Sequence, residues 1–162
     1  MSELLEKARS YEAKKIAATD KESKPLFHIS APAGWINDPN GFSVYNGKIH
    51  LFYQYYPYLR EWGPMHWGHS TTSDMIKWEQ LPCVLAPDEE YDKKGCFSGS
   101  AIEADGKHVL VYTGVTRIKL PDGSEQERQN QCIAFGDGLN YVKHENNPVV
   151  TCLLYTSDAA DE

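Results

Sequence analysis

Two repeated segments constrain the fold of this chain more than any other feature. Residues 48–53, which follow Asn46-Gly47, resemble residues 107–112, which follow Asp105-Gly106, at an offset of 59 residues. Asn-Gly and Asp-Gly supply the positive φ angles that two-residue β-hairpins require. Residues 73–78 and 136–141 form a second matched pair, each with an aspartate four positions before an aromatic residue, at an offset of 63. One match could arise by chance, but two in the same order favour repeated units of about four short strands, as in β-propeller blades.

The size and composition of the chain limit the classes of protein to which it can belong. With 162 residues, of which 41% are hydrophobic and 24% charged, it is expected to form one globular domain. The net charge of -7, with no dense block of Lys or Arg, argues against nucleic acid or an anionic membrane surface as a partner. A neutral sugar suits this charge better. The sequence does not predict an oligomeric state.

The first residues predict a short amphipathic helix from Glu3 to about Lys15, because Leu, Ala, Glu and Lys recur there at helical spacing. This charged start is unlike a secretory signal, so a cytoplasmic location is expected.

The four cysteines have neither the paired spacing nor the density of a disulfide framework, and they are expected to be reduced thiols.

The sequence predicts no cofactor and no metal site. His66 and His69 are three residues apart, but they lie in an aromatic, strand-like run without a third ligand type nearby, so packing is the preferred interpretation. The predicted segments are a helix and linker at 1–24, a partial propeller at 25–150 and a tail at 151–162. The tail breaks the strand pattern and resembles the translation of a sequencing adapter, so it is expected to be non-native.

The segment Trp-Ile-Asn-Asp-Pro-Asn-Gly at 35–41 is the strongest indication of function. Asp38 lies between an amide side chain and a proline, with Trp35 before it and Gly41 after it. A single carboxylate beside an aromatic ring suits the role of a nucleophile that cleaves a sugar. Asp, Pro, Asn and Gly are also the residues of tight turns, and those four residues alone favour a simple turn.

Further motifs in a fixed order reverse that preference. They are Phe-Tyr-Gln-Tyr at 52–55 with Pro57, Trp-Gly-Pro-Met-His-Trp-Gly-His at 62–69, Ser73-Asp74 with Trp78, Phe-Ser-Gly-Ser-Ala at 97–101 and Tyr-Thr-Gly at 112–114. Together with 35–41 they resemble the signature of glycoside hydrolase family 32, the β-fructofuranosidases, over residues 27–150. The resemblance implies an all-β fold, the five-bladed β-propeller. This chain would hold the first blade and most of the second, with the short N-terminal helix.

The resemblance also implies roles for individual residues. Asp38 matches the catalytic nucleophile of the family, and Asn37 and Asn40 are suitable hydrogen-bonding neighbours for its ionised carboxylate. The aromatic positions of the fructose pocket match Trp35, Trp62 and Phe97, and the positions that bind fructose hydroxyls match Asn37, Gln54 and Ser98. Trp67 and Trp78 fall in strand-like runs and are expected to be core residues.

Two other carboxylates of the family's mechanism have no counterpart in this sequence. The family's transition-state stabiliser lies in an Arg-Asp-Pro motif and its acid/base in a Glu-Cys motif, and neither motif occurs here. The chain is therefore expected to be a truncated fragment that does not hydrolyse sucrose by itself. Two blades without the rest would leave strand edges unpaired, so this polypeptide is also expected to be aggregation-prone.

The function implied by the resemblance is hydrolysis of terminal non-reducing β-D-fructofuranosides, such as sucrose or sucrose 6-phosphate, with retention of configuration. One alternative is a fructosyltransferase or fructan hydrolase of the same family, and another is a non-catalytic sugar-binding or relic fragment.

Tyr112 to Gly114 is expected to end a strand. The polar segment from Arg117 to Gln129 could touch a leaving group or a phosphate, but a solvated loop is the preferred interpretation.

Overall fold

The computed structural model describes residues 1–20, 22, 24–25 and 27–151, and the described part of the chain forms one helix and eight strands. Their bounds are α1 Glu3–Ala18, β1 Trp35–Tyr45, β2 Lys48–Tyr56, β3 His66–Thr72, β4 Glu79–Leu85, β5 Gly95–Ala104, β6 Lys107–Lys119, β7 Glu125–Gly136 and β8 Tyr141–Lys143. β1 to β4 form the first sheet and β5 to β8 the second, each antiparallel and in chain order. The all-β prediction is confirmed. The second sheet has all four strands, although β8 is short.

The first repeat in the sequence corresponds to the first hairpin of each sheet. Asn46 and Gly47 have φ angles of 48° and 72°, and Asp105 and Gly106 have φ angles of 49° and 71°. Each pair is the two-residue turn between consecutive strands, and the strands that follow begin at Lys48 and Lys107. The predicted hairpins are therefore confirmed at both positions.

The second repeat corresponds to the connection between the third and fourth strands of each sheet. The Oδ1 atom of Asp74 accepts hydrogen bonds from the backbone N–H groups two and three residues later, at 2.9 and 2.8 Å. Asp137 makes the same two bonds, at 2.9 and 2.7 Å. An aspartate that satisfies nearby backbone donors in this way closes a turn, which explains why both sheets carry it.

The main core lies between the two sheets. Trp67 of β3 is fully buried, and its ring centroid lies 6.3 Å from that of Tyr112 of β6. Phe52 of β2 and Leu110 of β6 belong to the same buried cluster. Trp67 is thus a core residue, as predicted. The prediction for Trp78 is wrong, because this residue precedes β4, is only half-buried and lies outside the core clusters.

α1 covers part of the other face of the first sheet and joins it to the second. The helix ends at Ala18, three residues beyond the predicted end, and the Ser2 hydroxyl caps its start by accepting a bond from the Leu5 N–H. Arg9 connects the two sheets. Its Nε donates to the Cys83 carbonyl of β4 at 2.7 Å, and its guanidinium also donates to Asn140 Oδ1, beside β8, at 2.9 Å.

The polar segment after Gly114 differs from its prediction. β6 does not end at Tyr112 to Gly114 but continues to Lys119, and the chain returns as β7 from Glu125. The segment is a two-stranded extension rather than a loop. Pairing between the two strands satisfies the hydrogen-bonding needs of their backbone N–H and C=O groups without burial. Both faces of the pair can therefore be polar. For this reason the composition of the segment resembles that of a loop.

Two predictions are not tested by the fold. Residues 152–162, which include nearly all of the predicted non-native tail, lie outside the described residues, and the division of the chain at residues 24 and 150 stays a prediction. In the part of the chain that is described, no helix has the length and apolar character needed to cross a membrane.

Candidate active site

Asp38 lies on an irregular part of β1, the edge strand of the first sheet. The pairing of β1 with β2 shifts register between Ile36 and Pro39, and again between Asn40 and Ser43. Pro39 lacks an N–H group and is tolerated at such an edge. The irregularity leaves the Asp38 side chain exposed to solvent. Asp38 to Gly41 therefore belong to a bulged strand, and the simple-turn alternative is wrong.

Ser98 reaches Asp38 from the other sheet. The Ser98 hydroxyl donates a hydrogen bond to Asp38 Oδ2 at 3.1 Å, although 60 residues separate the two in sequence. β5 has its own register shift against β6 between Phe97 and Gly99, so Ser98 also lies on a bulge. Two irregular edge strands thus face each other and bring a carboxylate and a hydroxyl together.

Asn40 links the same two edge strands through its side chain. Its side chain is buried, and its Oδ1 accepts a hydrogen bond from the Gly99 N–H at 3.4 Å. Its Nδ2 is buried and has no hydrogen-bond partner among the described residues. Asn40 therefore joins β1 to β5 and does not bond the Asp38 carboxylate as the sequence suggested. The expected neighbour Asn37 accepts a bond from the Trp35 indole N–H at 2.8 Å.

Two glycines permit close approaches between strands at this junction. A Cβ atom on Gly41, whose φ is 53°, would lie 2.8 Å from the Phe52 ring and 3.0 Å from the Ala101 Cβ. A Cβ atom on Gly99 would lie 2.0 Å from the Val111 carbonyl oxygen. Neither position has the space for a side chain. Gly41 therefore holds β1 against β5, and Gly99 holds β5 against its neighbour β6 in the same sheet.

Aromatic side chains with exposed surface lie near the Ser98 to Asp38 contact. Trp62, in the loop between β2 and β3, is 58% exposed, and its ring stands edge-on to that of Phe97 at 6.1 Å. Phe97 precedes Ser98 directly and is half-buried, as is Trp35 at the start of β1. A partly exposed aromatic pair next to polar groups suits the apolar face of a sugar ring. The structure thus brings Asp38, Ser98, Phe97 and Trp62 together.

Gln54 has a different environment from the other candidate residues. It is 2% exposed, and its Nε2 donates to the Cys96 carbonyl at 2.9 Å. This bond connects β2 to β5 at Cys96, the residue before Phe97. In this structure Gln54 positions strands, and its contact with a fructose hydroxyl stays a prediction.

The histidines near the core are packing residues. The His66 Nδ1 atom lies 2.9 Å from the Pro64 carbonyl oxygen, and the His69 Nε2 atom lies 2.9 Å from His50 Nδ1. Burial lowers the pKa of His66 to about 4, so this imidazole is neutral near pH 7. Among residues 1–20, 22, 24–25 and 27–151, no group of three His, Cys, Asp or Glu side chains is placed to hold a metal ion.

The sequence did not reveal the pairing of Ser98 with Asp38 or the structural use of Asn40. Both follow from contacts between strands of different sheets, which no local spacing reports. The only available signal was that each motif contains a glycine next to a polar residue, Asn40-Gly41 and Ser98-Gly99, and such a glycine in a strand marks a bulge or a close backbone approach.

Comparisons with known proteins agree with this geometry. Residues 28–161 match the model of the glycosyl hydrolases family 32 N-terminal domain. A sucrose-6-phosphate hydrolase from Escherichia coli is 48% identical over 120 residues, which are 74% of this chain and 25% of the relative. A levanase from Bacillus subtilis is 39% identical over 151 residues, which are 91% of this chain and 22% of the relative.

Solved structures give the same result. The GH32 β-fructofuranosidase of Bombyx mori has a TM-score of 0.78 and 46% identity, covering 90% of this chain and 30% of that chain. A sucrose-6-phosphate hydrolase from Lactobacillus gasseri has a TM-score of 0.73 and 34% identity, covering 87% of this chain and 28% of that chain.

The chain spans about a quarter of the length of the curated relatives named above, which are 25% and 22% covered. Within that span, the family match includes every strand, the nucleophile motif and the bulged Ser98 strand. The chain belongs to glycoside hydrolase family 32, and its two sheets are blades of the five-bladed β-propeller that characterises the family's N-terminal domain.

Proposed function

We propose that the protein carrying this chain hydrolyses terminal non-reducing β-D-fructofuranosides, with Asp38 as the nucleophile. The observation that carries the proposal is the hydrogen bond from the Ser98 hydroxyl to Asp38 Oδ2, at 3.1 Å, beside the partly exposed pair of Trp62 and Phe97. It gives an accessible carboxylate one fixed donor and leaves the other oxygen, Oδ1, to attack.

The reaction would proceed by two displacements. Asp38 attacks the anomeric carbon of the fructosyl unit, the bond to the leaving oxygen breaks, and an acid carboxyl group protonates that oxygen. Water, deprotonated by the same group, then cleaves the fructosyl–Asp38 ester and regenerates the carboxylate. Retaining glycosidases place the two carboxyl groups about 5–5.5 Å apart. Because neither family motif for the partner carboxylates occurs in this sequence, we infer that these 162 residues are inactive alone.

The remaining candidate residues would bind the fructosyl unit. Trp62 and Phe97 offer exposed ring surface, and Trp35 orients the Asn37 amide through its indole N–H. Asn37 and Ser98 would then bond fructose hydroxyls. Gln54 would contribute from beneath the surface, where its bond to the Cys96 carbonyl fixes one end of its amide.

Sucrose or sucrose 6-phosphate is the proposed substrate. Relatives named sucrose-6-phosphate hydrolase, from Escherichia coli and Zymomonas mobilis, are 48% and 46% identical to this chain, and the β-fructofuranosidase of Bombyx mori has a variant solved in complex with sucrose. Fructan hydrolysis is a second candidate, because a levanase and a fructan 6-exohydrolase are 39% and 48% identical over the aligned residues. Comparing sucrose, sucrose 6-phosphate and levan as substrates separates the two.

We also propose a cytoplasmic location. Cys83, Cys96 and Cys132 are buried free thiols, as is usual in a reducing compartment. The test is fractionation of the native organism, with the protein detected by an antibody.

The activity test measures glucose release from sucrose by the protein that the complete gene encodes. Asp38→Asn should abolish turnover, while Glu103→Gln, which alters an exposed carboxylate elsewhere on β5, should leave it unchanged. Unchanged turnover in Asp38→Asn would refute the assignment. If the unaltered protein binds fructose but releases no glucose, the non-catalytic sugar-binding alternative is supported instead.

A further inference from the structure

The two-stranded extension of the second sheet, residues 116–119 and 125–128, lies at the same end of the molecule as the candidate site. β5 begins at Gly95, which pairs with Val115, so β6 runs four residues beyond the start of β5. Phe97 and Ser98 lie just inside this end. Gly95 also bridges to Met65, three residues after the exposed Trp62. The extension and the Trp62 loop therefore both rise at the end where Asp38 is open to solvent.

The register of the extension assigns each of its side chains to a face. β6 and β7 pair without interruption from His108↔Gly136 to Lys119↔Glu125. Tyr112 and its partner Cys132 point into the core between the two sheets. Since paired residues share a face and every second residue returns to it, Thr116 and its partner Arg128 lie on the face turned toward the first sheet. Ile118 and Gln126 share this inner face.

The opposite face carries the other charged residues, and they compensate one another. It holds two cations and two carboxylates, namely Arg117, Lys119, Glu125 and Glu127. Arg117 lies 3.6 Å from Glu125 in an ion pair. On the inner face, Arg128 is the single charged side chain of the extension, and no ion pair involves it within the described part of the chain.

Arg128 also lies at a suitable distance from the fructose site. It pairs with Thr116, three residues beyond the Thr113 that pairs with Phe97, and β7 is two strands away from β5. With strand rises of about 3.3 Å and strand spacings of about 4.8 Å, its Cα is about 10 Å along and about 10 Å across from Phe97. An extended arginine and a disaccharide phosphate together span that separation.

We propose that Arg128 binds a phosphate group on the leaving sugar and so selects sucrose 6-phosphate over sucrose. This inference rests on the proposed fructosidase function and assigns its substrate class. Guanidinium forms paired hydrogen bonds to phosphate oxygens, and an arginine without a carboxylate partner keeps all of its donors for the ligand. The balanced charges of the outer face would attract no anion, so recognition depends on this one side chain.

The test compares kcat/KM for sucrose 6-phosphate and for sucrose, using the protein that the complete gene encodes. Arg128→Gln should lower kcat/KM for the phosphorylated substrate roughly 10- to 100-fold, the range for a hydrogen bond to a charged group, and change that for sucrose less than about twofold. Arg128→Lys, which keeps the charge but not the paired geometry, should give an intermediate loss. Arg117→Gln on the outer face of the same extension is the matched control and should leave both values unchanged.

Equal losses for both substrates in Arg128→Gln, or no loss for sucrose 6-phosphate, would overturn the inference while leaving the fructosidase assignment intact. So would an unaltered protein that uses sucrose as efficiently as its 6-phosphate. If the unaltered protein cleaves neither of these substrates nor levan, the proposed function itself is wrong and this inference falls with it. Because Arg128 is exposed on the extension, its replacement should not disturb folding, which matching thermal unfolding midpoints would verify.

Discussion

Ser98 and Asp38 lie on the edge strands of two different sheets, and the 3.1 Å hydrogen bond between them joins the two blades at the nucleophile. Each residue lies on a strand irregularity, between Ile36 and Pro39 in one case and between Phe97 and Gly99 in the other. The geometry of the carboxylate thus depends on how the blades pack. A substitution that disturbs this packing should therefore lower the catalytic rate even when Ser98 and Asp38 are themselves unchanged.

Replacing Ser98 with Ala should reduce kcat/KM for sucrose roughly 10- to 100-fold, because a hydrogen bond to a charged group contributes about 1.5–3 kcal/mol. The measurement is steady-state glucose release by the protein that the complete gene encodes. Ser100→Ala, at an exposed position on the same strand, is the control and should have no effect. Full activity in Ser98→Ala would show that the hydroxyl neither orients the nucleophile nor binds substrate.

Gly99→Ala should prevent correct pairing of β5 with β6 in the second sheet. The added Cβ would lie 2.0 Å from the Val111 carbonyl oxygen, a backbone atom of the neighbouring strand that cannot move independently. Gly106→Ala has open space around it and only its φ of 71° to accommodate, at a cost of roughly 1 kcal/mol. We expect Gly99→Ala to lose soluble yield and Gly106→Ala to keep it. A soluble Gly99→Ala with unchanged thermal midpoint would contradict the close approach of β5 and β6.

Glu12→Gln should stabilise the protein at pH 8 but not at pH 4. Burial raises the pKa of Glu12 to about 7, and its Oε2 accepts a hydrogen bond from the Cys83 N–H. The unfolded chain loses this proton near pH 4.5, whereas the folded chain retains it to about pH 7. The carboxyl therefore destabilises the fold increasingly from about pH 4.5 to 7 and by a constant amount above. Glutamine keeps the acceptor and removes the charge.

The check for Glu12 is the difference in thermal midpoint between variant and unaltered protein at the two pH values. Glu6→Gln, on the exposed face of α1, is the matched control. A shift of equal size at pH 4 and pH 8 would show that charge burial is not the cause.

Stability should fall as the pH drops from about 6.5 to 4, because buried histidines resist protonation. Burial lowers the pKa of both His66 and His108 to about 4, while the unfolded chain takes up these protons near pH 6.5. Below pH 6.5 the unfolded state therefore binds more protons than the folded state and is favoured. His108 has both ring nitrogens engaged, with Ser43 Oγ at 2.9 Å and the Tyr141 hydroxyl at 2.7 Å.

The measurement for the histidines is the slope of the unfolding free energy against pH between pH 7 and 5. Each buried histidine that stays neutral in the folded state contributes up to about 1.4 kcal/mol per pH unit to this slope. His28→Gln, at an exposed position, should leave the slope unchanged. Glu12 titrates with the opposite sign over this range, so the slope is measured in the Glu12→Gln variant. A flat profile in that variant would contradict the neutral, buried state of these imidazoles.

Much of the blade architecture was predictable because it is encoded locally. Asn46-Gly47 and Asp105-Gly106 dictate hairpins by their φ angles, and Asp74 and Asp137 close their turns with bonds to amides two and three residues away. The prediction of a loop from Arg117 to Gln129 is wrong, because a solvent-exposed strand pair has no buried face to give it an alternating pattern.

The sequence by itself determined the family, the hairpin positions and the identity of Asp38 as candidate nucleophile, because motif order and turn chemistry are properties of adjacent residues. Tertiary structure alone decided that Ser98 reaches Asp38, that Asn40 and Gln54 are buried between strands, and that Arg128 and Arg117 lie on opposite faces of the extension. Those facts depend on strand register and on the packing of two sheets, which join residues about 60 positions apart. A pattern of neighbouring residues in the sequence cannot reveal contacts between residues so far apart in the chain.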